Sequence, residues 1–132
     1  MEQVKEAYVS FEVAKLLKKK GFDWNCITYY VDFEPNDVKY SMFVENNTTW
    51  EEHCYSATTQ QMAMRWLREV HGLHISLEPC YDYDSMHVVF LAFVQNVADV
   101  HEFMDGRKNV ASHPNAEKSY ELAIQYCLEN LI

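Results

Sequence analysis

"ATTQQMAMRWLREVHG" (Ala57 to Gly72) decides how the rest of the chain is read, because it is a helix with a wide apolar stripe standing between two alternating β patterns. Thr58 or Thr59 can cap it, and Gly72 can end it. At about 100° per residue, Ala63, Trp66, Leu67 and Val70 fall in one stripe, with Met62 and Met64 widening it and Arg65, Arg68 and Glu69 pointing away. Such a stripe is expected to cover a sheet, with methionine filling irregular gaps, rather than to dock a partner.

Upstream, "SFEVAKLLKKKG" (Ser10 to Gly21) reads as a helix capped by Ser10, with Val13, Leu16 and Leu17 on its apolar side and lysines in the last turn, where the helix dipole favours cations. In "CITYYVDFEPNDVKYSMFV", Ile27, Tyr29, Val31 and Phe33 alternate with more polar positions, Glu34 to Asp37 form a turn, and Val38, Tyr40, Met42 and Val44 alternate again. That is a hairpin. "ENNTTWEEHCYSA" shows no sustained period. Downstream, "LHISLEP" alternates as a strand with one wet face, "YDYDS" turns, and "MHVVFLAFVQ" is apolar on both faces, as an inner strand should be. A short helix capped by Asn96, or an irregular loop, follows in "VADVHEFMDG". The last helix, "SYELAIQYCLENLI", is capped by Ser119 or Asn115 and carries Tyr120, Ala123, Ile124, Cys127 and Leu131 on one face. The expected architecture is α+β: two helix-hairpin units and a closing helix (α-β-β-α-β-β-α), with one four-stranded antiparallel sheet and the helices on one face.

At 132 residues, with 48% hydrophobic and 23% charged residues and only three glycines and three prolines, a single domain spanning 1–132 with one core is expected. The net charge is −9; residues 1–20 hold five lysines against three glutamates, so the remainder carries −11. A phosphate backbone would be repelled by most of this surface, which disfavours nucleic acid; a basic protein partner is the opposite reading. No apolar run is long enough for a membrane span, and "MEQVKEAYVSFEV" has acids where a secretory signal is basic, so a cytoplasmic protein with reduced Cys26, Cys54, Cys80 and Cys127 is expected. On the same expectation the N-x-[ST] triplets at Asn46 and Asn47 stay unglycosylated.

Few patterns here carry chemistry. His71 and His74 flank a helix end and aim in unrelated directions, so with His53-Cys54 they do not make a metal site. Glu51-Glu52 and Asp82/Asp84 are carboxylate neighbours of the kind found solvated in loops and turns, and no glycine-rich phosphate loop or nucleophile motif is present. A non-enzyme without a cofactor is expected. On the last helix Leu122 and Tyr126, four apart and opposite the Ala123/Cys127 face, are candidate partner-binding residues, for a homodimer or another protein.

"YVSFEVAKLLKKKGFD", "TTQQMAMRWLREVHGLHI" and "SYELAIQYCLENLI", together roughly a third of the chain, resemble a group of short uncharacterised proteins of gut Bacteroidales genomes and of their phages and mobile elements. This chain has Ala57-Thr58 where that group often has proline before the threonine, and a longer stretch between Gln95 and Ser119. The resemblance implies a phage-associated setting and supplies no activity. Two functions are therefore expected in competition. One is an accessory protein that acts by non-enzymatic protein binding. The other is a small-molecule binder that sequesters a nucleotide, with Trp50, Tyr55, Tyr81 and Tyr83 for stacking and Lys18, Lys19 and Lys20 for phosphate.

Overall fold

A computed structural model describes residues 7–132. The chain is α+β, and it divides into two compact units, Met1–Met62 and Ala63–Ile132.

In the first unit, α1 (Phe11–Lys19) starts where the Ser10 hydroxyl accepts from the Val13 N–H, and it buries Val13, Ala14 and Leu17. β1 (Cys26–Val31) lies between β2 (Glu34–Glu45) and β3 (Cys54–Ser56) in an antiparallel sheet of order β2-β1-β3. Buried side chains tie the sheet to the chain on either side of it: the Tyr30 hydroxyl donates to the Val9 carbonyl and the Thr28 hydroxyl to the Ala57 carbonyl, both at 2.6 Å. The loop from β2 to β3 is pinned by Asn47, whose amide donates to the Phe22 carbonyl and accepts from the Ser56 N–H. α2 (Gln60–His71) follows; Thr59 caps it by accepting from the Met62 N–H.

In the second unit, β4 (Leu73–Asp82), β5 (His87–Asn96) and β6 (Lys108–His113) form a second antiparallel sheet with β5 central, in keeping with its two apolar faces. The β4–β5 ladder runs without a break from Leu73↔Asn96 to Asp82↔His87. α3 (Val100–Met104) is inserted between β5 and β6 and capped by Asp99, while the Asn96 side chain accepts from the Ala98 and Asp99 N–H groups just before it. α4 (Ala116–Asn130) is capped by Asn115 and packs on all three strands, burying Ala123, Ile124, Cys127 and Leu128; the Ser119 hydroxyl donates to the Phe90 carbonyl at 2.8 Å. Burial of Ile124 and Leu128 contributes about 1.5–3 kcal/mol each.

Three expectations need correction. The four-stranded sheet is replaced by two separate three-stranded sheets, because β3 and β6 each add a strand. β3 has only three residues, too few to show a period, and β6 is broken by an irregularity opposite Ala92/Phe93. The first hairpin turns at Asp32 and Phe33; Glu34 already pairs with Val31, and Pro35 to Asp37 lie within β2, an edge strand where a missing N–H costs no ladder bond. The α2 stripe is core at Ala63, Met64, Trp66 and Leu67, but Val70 is exposed.

Candidate functional site

A group of exposed apolar residues lies on the first hairpin. β2 pairs with β1 through Lys39 and Tyr40 and again at Glu45, so residues 41–44 have no one-to-one partners and bow out of the ladder. The Phe43 N–H and the Glu45 carboxylate are satisfied by the Ser41 hydroxyl, which holds the bow in shape. Its apolar groups face outward: Met42 is 92% exposed, Phe43 73%, Tyr40 68% and Val44 64%. Tyr40 and Val44, with Ile27, Tyr8 and Met62, line a groove of about 360 Å³. Cys26 also lines it; burial pushes its thiol pKa up, partly offset by hydrogen bonds from Ser56 and Thr58, so it is poorly placed as a nucleophile. Glu45 closes the bow, while Glu34 and Asp37 lie further back along β2 towards the hairpin turn, where both pair with Lys39.

The residues proposed for nucleotide binding are divided between grooves of the first unit and the β4–β5 turn of the second. Trp50 donates from Nε1 to the Ser56 hydroxyl at 2.7 Å and packs on Tyr29, in a groove with Glu45, Glu51 and His53. Tyr55 lines a different groove, of about 420 Å³, with Lys15, Lys18 and Lys19. There the Lys18 ammonium donates to the carbonyls of Cys54 (2.8 Å) and Glu52 (3.1 Å) and lies 4.8 Å from the Tyr55 ring centroid. It staples α1 to β3 and is not held out for phosphate. Lys19 is exposed, Glu12 and Glu52 line the same groove, and Lys20 is half-buried and absent from its lining. Burial, and then a hydrogen bond to Asp32, push the Tyr55 pKa up. Tyr81 and Tyr83 stand exposed and edge-to-face at the β4–β5 turn, where the Tyr81 hydroxyl reaches the Met86 sulfur and the Asp82 carboxylate accepts from the Asp84 N–H and the Ser85 hydroxyl.

Leu122 and Tyr126 differ in environment although they share a helix face. Leu122 is 38% exposed, whereas Tyr126 is half-buried and its hydroxyl takes a hydrogen bond from the Lys108 ammonium at 2.7 Å. Tyr126 belongs to a cleft of about 590 Å³ floored by Leu73, Val94 and Val110, which sequence reasoning did not find. Its lining comes from α4, from α3 and from the strand ends, and the one sequence signal was Tyr126 standing off the apolar face of its helix.

Cys54 and Cys127 are buried, and burial pushes the Cys127 thiol up to about 12; the four cysteines are unpaired. Among the described residues no helix is long and apolar enough to cross a membrane. Compared with known proteins, the chain matches no family model, no curated protein and no solved structure.

Proposed function

We propose that this protein is a non-enzymatic binding module whose first hairpin takes an apolar protein segment flanked by basic residues. The carrying observation is the outward bow of β2, where Tyr40, Met42, Phe43 and Val44 are exposed together beside a groove. Single exposed apolar residues are ordinary, but a contiguous group of this kind is the mark of an interaction surface. Charge selects the partner: Glu45 closes the bow, Lys39 further back on the same strand is already held by Glu34 and Asp37, and the chain carries a net charge of −9. A second copy would bring like charge to the contact, and a basic partner would relieve it. The Leu122 face is a lesser candidate, since Tyr126 is committed to Lys108. The resemblance to short Bacteroidales and phage proteins supports a phage or mobile-element setting for this role.

Fluorescence anisotropy with two labelled apolar peptides, one flanked by lysines and one by glutamates, tests the proposal. The lysine-flanked peptide is expected to bind, more weakly as salt rises, and the M42S/F43S variant to lose binding without a change in melting temperature. Binding of neither peptide, or unchanged binding by the variant, would overturn the reading. Sedimentation of the wild type as a dimer and of the variant as a monomer would make the occupant a second copy and overturn the basic-partner assignment.

A further inference from the structure

We infer that the cleft of the second unit is a binding site for a small zwitterion with an apolar body, of about dipeptide size. At about 590 Å³ it falls within the range of small-molecule sites, and its plan is theirs: an apolar floor with a few polar groups converging at the edges. The floor is Leu73 and Val94, both buried, with Val110 beside them.

Charge is divided around that floor. Lys108 lines it with its ammonium on the Tyr126 hydroxyl and 5.2 Å from that ring's centroid. Asp105 and Glu102 line it from the α3 segment, Glu102 accepting from the Asn96 amide at 2.5 Å. Among the described residues neither carboxylate lies within ion-pair distance of Lys108, although all three groups border one cavity. An ammonium held on a phenol hydroxyl is a receptor for a carboxylate, and Asp105 with Glu102 is the complementary receptor for an amine. A molecule carrying both ends with apolar atoms between them satisfies the three groups and covers the floor.

The α3 segment supplies a second, independent observation. None of the residues of α3 is buried, so the element adds nothing to the core, yet it is held in place by the Asp99 cap and by the Gln95 amide donating to the Phe103 carbonyl. What it contributes is cleft wall: Glu102, Asp105 and Gly106. At Gly106 the backbone sits at φ +94 with open space where a side chain would stand, which leaves the wall low at that point.

The experiment is amide NMR titration of the whole chain with leucyl-leucine, its N-acetyl form, its C-terminal amide, and hexanoate. Leucyl-leucine is expected to shift the amides of Leu73, Val94 and Val110. D105N should weaken it about tenfold, and so should K108Q, as the loss of one charge-assisted contact each. K108R should retain binding, and both substituted side chains are exposed, so folding is checked by an unchanged spectrum elsewhere. N-acetylation should mimic the loss of Asp105, and amidation the loss of Lys108. Absence of any shift at the floor would overturn the site. Equal binding of hexanoate and leucyl-leucine would overturn the amine end, and indifference to K108Q the carboxylate end. None of these readouts involves β2, so the result stands apart from the fate of the protein-binding proposal.

Discussion

β2 and β5 each carry a run of apolar residues, and the two runs meet opposite fates. In β2, Tyr40, Met42, Phe43 and Val44 all end up exposed; in β5, apolar residues occupy both faces, and Val89, Ala92 and Val94 are buried. The difference lies in the neighbours. β5 is flanked by β4 and β6 and covered by α4, whereas β2 is an edge strand that leaves its ladder between Tyr40 and Glu45. Apolar alternation therefore identifies a strand with a face to bury, but a second layer must arrive for that face to become core, and an apolar face without one is free for a partner.

The same substitution in the two strands is the sharpest test. Val94→Ser should destabilise by about 2–4 kcal/mol, since it removes buried methyls and leaves a hydroxyl in an apolar site. Val44→Ser should stay within about 0.5 kcal/mol. Urea denaturation of both variants reads the contrast, and equal losses would show that the β2 bow is packed after all. Gly72→Ala probes the start of the β4–β5 ladder: the backbone there is at φ +68, and an added Cβ would stand 2.4 Å from the Ala98 Cβ. A loss of about 1–3 kcal/mol is expected, seen as a lowered melting temperature, with the Val97 N–H bond to the Gly72 carbonyl as the contact disturbed.

The smallest effect is one of pH. His71 packs edge-to-face on Trp66, its Nε2 is buried with no hydrogen-bond partner among the described residues, and burial holds its pKa below the ordinary value of 6.5. The unfolded chain then binds the proton more readily than the folded one, so stability is full above about pH 6.5 and falls as pH drops toward the depressed folded value. The wild type should lose more stability between neutral and mildly acidic pH than His71→Gln does; parallel curves for the two would remove His71 as the cause.

Much of this was legible in local sequence. Ser10, Thr59 and Asn115 cap helices as their side chains allow, and Trp66 and Leu67 sit inside because their helical spacing puts them on one face. The inner position of β5 followed from its two apolar faces. β3 escaped because three residues carry no period, and β6 because its alternation is interrupted. The hairpin turn was misplaced because proline and asparagine favour turns locally, while the pairing of Val31 with Glu34 is a property of both strands together. For the sites, Tyr126 stood out by helical spacing alone. Its partner Lys108 is 18 residues away on a strand that no pattern announced, and Asp105 and Glu102 share the cleft only because α3 is inserted beside it.

What the sequence determined by itself is the kind of molecule this is: an acidic α+β chain with capped helices, apolar faces and a central strand, because caps, periods and charge act over a few residues. Which apolar face is covered, which lysine is stapled to carbonyls and which is left to line a cleft, and how many strands join each sheet were decided only by tertiary structure. Those outcomes depend on groups far apart in the chain, whose meeting follows from how whole layers pack and not from any one segment's preference.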